Sequence, residues 1–307
     1  MKEPELLVTL WPSFPFFSRF AFDTRLNGIR LNSAMTKKDT LGDELQQAKN
    51  LGGPVQLYFD LKGRQLRVKE AHAYKDHLEL KLNHKIKTTT PRPVLFKAGT
   101  DRALLEKVVD GDCLVFKGGP YYAVEEGESL HIRDPHLVIE DPLFTDYEIF
   151  KISEAKKTGI DRFVLSYVEH SSDIAAFREY VGDAEIIAKI ESRKGLEYVA
   201  NEYKKEDNLA LMAARGDLYV ELNRPDEILS ATKLIIEKDP EAIVGSRMLL
   251  SVINQAVPEC SDFCELAWLY DIGYKKFMLC DGLCLKEESL ARAINVFEGF
   301  KYSYAKK

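Results

Sequence analysis

No apolar run in this sequence of 307 residues is long enough to span a bilayer. The N-terminus, with Glu3, Glu5 and an early Pro12, lacks the basic, apolar and small-residue order of a signal peptide. Positive charge is not in excess either. Forty-three Lys and Arg face 49 Asp and Glu, a formal net charge of −6, which gives no electrostatic reason to expect nucleic acid. Cysteine is scarce, and four of the five fall in two C-x-x-x-C pairs, Cys260 with Cys264 and Cys280 with Cys284. That spacing is not a zinc knuckle, so the set reads as buried or incidental thiols, reduced in a cytoplasmic protein. Five of the six histidines fall within residues 62–141 without ligand spacing and read as polar surface; the sixth, His170, follows a strand and is placed to face a site. What remains is 45% hydrophobic content, enough for the core of one large domain and an insert.

Lys189-Ile190-Glu191 closes one apolar run, and Ala213-Ala214-Arg215-Gly216-Asp217-Leu218 closes the next. A lysine and two carboxylates delivered by neighbouring strand ends can hold a divalent cation, and set a positive charge beside the oxygen that the cation polarises. Such machinery stabilises an enolate. Taken alone, Lys189 and Glu191 also read as a structural ion pair, because residues two apart share a strand face.

Short apolar segments recur at Leu6–Leu10, Gly28–Asn32, Val55–Asp60, Asp161–Tyr167, Ile186–Ile190, Leu209–Ala213, Ala242–Gly245 and Lys276–Cys280. Helical periodicity fills most gaps between them. Thr145 to Gly159 carries a capping box of Thr145 and Glu148, and Ser172 to Gly182, Pro225 to Lys238 and Ser261 to Gly273 also read as helices. The aromatic run from Phe14 to Phe22 reads as helix core. Eight strands alternating with helices predict an α/β fold, a closed (β/α)8 TIM barrel. Residues 62–141 break the alternation with short strands at Leu66–Val68, Leu78–Leu82, Val94–Phe96, Cys113–Phe116 and Tyr121–Val124, and a helix over Ala103–Val109. They are expected to form a small β domain inserted after the third strand, a lid over a barrel made by residues 1–61 and 142–307.

In order along the chain, these motifs resemble pyruvate kinase. Arg30-Leu31-Asn32-Ser33-Ala34-Met35 is similar to that family's R-L-N-F-S-H-G, and Asp60-Leu61-Lys62-Gly63-Arg64-Gln65-Leu66-Arg67 to its D-T-K-G-P-E-I-R. Lys189 to Glu191 matches K-I-E, Ala214 to Leu218 matches A-R-G-D-L, and Gly245-Ser246-Arg247-Met248-Leu249 stands for A-T-Q-M-L. The resemblance implies that Glu191 and Asp217 bind Mg²⁺ or Mn²⁺ and that Lys189 sits by the enolate oxygen or transferring phosphoryl group. It implies that Arg30 neutralises phosphate charge, with Arg67 also on the substrate, and that amides near Gly216 and Asp217 take the substrate carboxylate. Ser246 replaces a threonine near the methyl carbon of pyruvate. Asn32 and Asp60 match a monovalent-cation site, but Leu61 replaces its threonine and Gln65 the motif's glutamate, which weighs against a K⁺ requirement.

The nucleotide side departs further. The histidine after the second-strand motif is missing, the basic K-K-G-V-N-L-P has no match in residues 131–142, and the eighth-strand S-G-E-T-A reads Cys280-Asp281-Gly282-Leu283-Cys284. The chain stops at Lys307, before the place of the family's C-terminal domain. The function expected is a cation-dependent enzyme acting on phosphoenolpyruvate, pyruvate or a related 2-oxo acid through an enolate. A lyase, decarboxylase or aldolase without nucleotide, and a catalytically silent ligand-binding relative, are the rivals. Phosphate-binding candidates are Lys62, Arg64, Arg67 and Lys117; a lyase would use Glu169, His170 or Arg247. The expected partner is the small acid, with a nucleotide and a homo-oligomer left open.

Overall fold

The computed structural model describes residues 3–36, 38–51 and 53–305. Eight parallel strands close a barrel in chain order: Glu5–Thr9, Gly28–Asn32, Gln56–Leu61, Arg162–Leu165, Glu185–Ile190, Leu209–Ala214, Ile243–Gly245 and Lys276–Met278, the last pairing with the first. All eight expected strands are present. Both faces of such strands are covered, which is why they read as continuous apolar runs. Outward residues such as Leu6, Ile29, Phe59 and Phe163 pack on the surrounding helices. Inward ones, including Leu7, Tyr58, Val164, Ile187, Met212, Ile243 and Met278, fill the barrel's interior.

The period of two carries that inward face up to the C-terminal rim. Two residues beyond Leu7, Tyr58 and Ile187 stand Thr9, Asp60 and Lys189, and beyond Lys189 stands Glu191. The apolar layer is therefore the floor of a polar rim.

The helices Asp146–Lys157, Ser171–Val181, Glu227–Lys238 and Cys260–Asp271 lie where periodicity placed them. Phe17–Ala21 is a short helix whose Phe17 and Phe20 are buried. The Thr145 hydroxyl caps the Glu148 amide as expected. The reciprocal half of the box is replaced, because the Glu148 carboxylate accepts from the backbone amides of Lys62 and Gly63 at 2.7 and 2.9 Å. This cap ties the helix to the exit of the third strand.

Between that strand and this helix, six strands form an antiparallel sheet in the order Leu130–Ile132, Arg92–Phe96, Asp101–Val109, Cys113–Phe116, Leu78–Leu82, Val68–Ala73. Val138–Ile139 pairs with Ile86–Lys87 as a separate ribbon. The sheet has its own core around Phe96, Phe116, Leu80 and Leu105. Two expectations are corrected. Ala103–Val109 is strand, pairing with residues 92–96 on one side and 113–116 on the other. Tyr121–Val124 is not a strand; the segment that completes the sheet is Leu130–Ile132.

Candidate active site

At the C-terminal rim the residues singled out from the sequence converge on one cavity of about 180 Å³. Its wall includes Arg30, Asn32, Arg67, Lys189, Glu191, Gly216, Asp217 and Ser246, joined by Lys62, Gln65, Ser129 and Asp281. Asp60 lies fully buried and reaches this group through its bonds to Arg30 and Lys62. All of these but Ser129, which precedes the insert's Leu130–Ile132 strand, come from barrel strands or the segments that follow them.

Lys189 donates to Glu191 Oε1 at 2.8 Å and to the Ser166 hydroxyl at 2.9 Å. Burial alone would discharge this ammonium, but Glu191 and Asp60 outweigh that and hold it above its usual value. Glu191 also accepts from the Tyr167 amide at 2.9 Å. Asp217 lines the same pocket, and its Oδ2 takes a bond from Gln65 Nε2 at 2.9 Å. Burial and the neighbouring Asp217 push Glu191 up to about 7, despite Lys189. The opposite shift falls on Asp217, where burial is outweighed by His131 and Lys189. Two carboxylates forced together in a buried site require a proton or a cation between them.

Among the described residues no group of three or more His, Cys, Asp or Glu is arranged to hold a metal ion. A pair nonetheless fits Mg²⁺ or Mn²⁺, which take one or two carboxylates and complete their shell from substrate and water. At the expected monovalent pair, Asp60 Oδ2 is engaged by both Arg30 and Lys62 and Asn32 Oδ1 accepts from the Ala34 amide, while the buried Asp60 Oδ1 has no hydrogen-bond partner.

The helix Arg215–Glu221 begins at the rim behind Ala214, which offers no side-chain cap. Its first-turn amides, including those of Gly216 and Asp217, are left for another acceptor. Ser246 lies against Gly216: a Cβ added there would stand 3.3 Å from the Ser246 hydroxyl. Ser246 and Arg247 both have φ near +65°, an uncommon conformation for residues with a side chain. The Ser246 carbonyl is held by Arg215 Nη2 at 2.7 Å.

Sequence reasoning missed His131 and misplaced it on the surface. This residue of the inserted sheet is buried, with Nδ1 2.8 Å from Glu221 Oε1 and 3.1 Å from the Tyr167 hydroxyl. Its Nε2 has no hydrogen-bond partner and lies 3.7 Å from Asp217 Oδ1. Burial lowers the imidazole's affinity for a proton, but Glu221 and Asp217 more than offset it and raise the pKa. His84 is buried as well, bonded to the Gly63 carbonyl at 2.9 Å, so two of the five insert histidines are interior. Only the fold reveals this, since the partners of His131 lie 36 and 90 residues away.

Other candidates lie elsewhere. Glu169 and His170 line a second, larger cavity of about 670 Å³, on the far side of Tyr167. Glu169 accepts from the Ser192 hydroxyl, and Arg247 stacks on Tyr219. Arg64 pairs with Asp173, and Lys117 is exposed. Cys260 and Cys264 are exposed and free; Cys284 is buried, accepting from the Thr9 amide.

Comparison with known proteins finds similarity to pyruvate kinases. The family model "Pyruvate kinase, barrel domain" matches residues 123–269. The pyruvate kinase of Thermoplasma acidophilum is 28% identical over 310 residues, covering 93% of this chain and 54% of that protein. That of Methanocaldococcus jannaschii is 26% identical over 286 residues, covering 87% and 62%. That of Mycobacterium tuberculosis is 27% identical over 175 residues, covering 54% and 36%. The chain thus spans little more than half the length of the first two relatives.

Proposed function

We propose that this chain, similar to pyruvate kinases over most of its length, belongs to a pyruvate kinase-like family and is a divalent-cation-dependent enzyme acting on phosphoenolpyruvate, pyruvate or a related 2-oxo acid through an enolate. The observation that carries this reading is the Lys189 ammonium 2.8 Å from Glu191 in a pocket that Asp217 also lines. Mg²⁺ or Mn²⁺ held by Glu191 and Asp217 would supply fixed positive charge where negative charge develops. Lys189 brings the second positive charge, already desolvated and oriented by Ser166. The uncapped amides of Gly216 and Asp217 receive the substrate carboxylate. Ser246, or water on its hydroxyl, handles the proton on carbon.

Residues 62–141 act as the lid and residues 1–61 with 142–307 as the barrel. Support comes from the insert's Gln65, Arg67 and Ser129, which stand on the pocket wall. The lyase reading is less well served. Its candidate bases Glu169 and His170 line the other cavity, and Arg247 is stacked on Tyr219.

The test is exchange of pyruvate methyl protons with solvent deuterium, followed by proton NMR with and without Mg²⁺. Cation-dependent exchange is expected even without a co-substrate. No exchange above buffer, at every pH where the fold persists, would leave a silent ligand-binding relative.

A further inference from the structure

All three nitrogens of the Arg30 guanidinium are committed inside the protein. Nε and Nη2 donate to Asp60 Oδ2 at 3.0 and 2.5 Å. Nη1 donates to the Thr9 hydroxyl at 3.1 Å and to Asp281 Oδ1 at 2.7 Å. The second Asp281 oxygen accepts from Asn32 Nδ2 at 3.1 Å. A guanidinium recognises an anion by presenting its N–H fork, and here four of its five N–H groups are spent on two carboxylates and a hydroxyl.

The two carboxylates differ in what could displace them. Asp60 is fully buried and also bonded to Lys62 Nζ at 2.6 Å, so it is a fixed part of the floor. Asp281 opens the short helix Asp281–Cys284, and its side chain is 40% exposed. An incoming phosphate approaching Nη1 meets this carboxylate first. Nor do the other cations make up the loss. Lys62 is spent on Asp60, Lys189 on Glu191, and Arg67 bonds to Gln65 Oε1 and the Gly127 carbonyl. A small 2-oxo acid makes no demand on this side. The groups it would use, Lys189, the carboxylate pair and the Gly216 turn, stand on the other.

We propose that Asp281 is a specificity-determining residue that closes the Arg30 side of the pocket to phosphate esters, so that the site takes an unphosphorylated 2-oxo acid. This rests on the pocket being a 2-oxo-acid site, and it narrows the substrate class within that reading. Asp281 provides the negative charge that a substrate phosphate would otherwise bring to Arg30. A phosphate would be the third anion on a guanidinium that Asp60 and Asp281 already share, and its repulsion from Asp281 costs a phosphate ester on the order of tenfold in affinity once partial exposure has screened it.

Calorimetric titrations of the full chain with Mg²⁺ present, using oxalate as the enolate mimic and phosphoenolpyruvate as the phosphate ester, test both levels. The wild type should bind oxalate at least about tenfold more tightly than phosphoenolpyruvate, and Asp281→Asn should shift that ratio about tenfold towards phosphoenolpyruvate. Equal affinities in the wild type, or a ratio unmoved in Asp281→Asn, overturn the proposal and leave the 2-oxo-acid reading standing. Absence of oxalate binding in the wild type overturns both. The wild-type ratio requires no variant, and Asp281→Ser serves as the second substitution should the asparagine protein not fold.

Discussion

The two sides of the rim pocket solve the same problem, several buried charges in a small space, in opposite ways. Around Arg30 opposite charges are paired. Asp60, although buried, is held far below the usual carboxylate range by Arg30 and Lys62, and Asp281 is held below it by Arg30, while burial brings Lys62 down to about 7. Around Glu191 like charges are neighbours: Glu191 and Asp217 line one pocket, and Glu191 is driven up to about 7. A paired cluster has less to gain from a cation. Neighbouring carboxyls carry a cost that a bound cation would remove, so on the proposed reading the Glu191 side would hold the cation.

The most direct way to break this contrast is Asp217→Asn. It removes a full negative charge from the pair, and should weaken Mg²⁺ or Mn²⁺ binding and lower catalysed deuterium exchange by about a hundredfold or more, a charged ligand being worth several kcal/mol. Calorimetry with the metal alone reads the first effect and NMR the second. Equal cation affinity in wild type and variant would remove Glu191 and Asp217 from the cation site and with them the distinction between the two sides.

How much of this was legible in the sequence differs by region for physical reasons. The barrel strands, buried on both faces, announce themselves as apolar runs such as Ile186–Ile190, and their ends locate the rim. The insert does not. In Asp101–Val109 Ala103 and Leu105 are buried while Leu104 is 43% exposed, so the true alternation is hidden by leucines at adjacent positions and by helix-favouring Ala, Glu and Lys. His131 gave no signal because nothing near it in sequence is near it in space. Asp281 was readable as a polar residue at a strand end, but its grip on Arg30 required the closure of the eighth strand onto the first, 251 residues away from that arginine.

Acidity offers a graded version of the same contrast. A cation must take the Glu191–Asp217 pair free of its proton, and Glu191 is raised to about 7 by burial and by Asp217. Below that value a proton has to be displaced, so Mn²⁺ affinity should fall as pH falls, by up to about tenfold per unit from pH ~7 to pH ~6, and level off above pH ~8. On the Arg30 side Asp60 stays ionised across this window, while Lys62, brought down to about 7 by burial, gives up its proton as pH rises through that value. A cation affinity flat over the same range would show that the metal does not compete with that proton.

The smallest effect expected concerns how the insert joins the Glu191 side. His131 is the insert's buried link to the barrel, bonded to Glu221 and Tyr167 and 3.7 Å from Asp217. Truncation by His131→Ala leaves the Glu221 carboxylate and Tyr167 hydroxyl short of a partner, which costs about 1–3 kcal/mol. Because the lost bonds join the inserted sheet to a helix and a loop of the barrel, the cost should fall on docking of the insert before it falls on the barrel. Amide hydrogen exchange should quicken in Leu130–Ile132 while the barrel strands keep their protection, and oxalate affinity should drop about threefold to tenfold as the lid is held less well. His131→Gln, which can still donate a hydrogen bond to Glu221, should recover part of both. If neither exchange nor oxalate affinity moves in His131→Ala, the sheet is held by its apolar contacts alone, and the imidazole beside Asp217 has no part in keeping that side of the pocket closed.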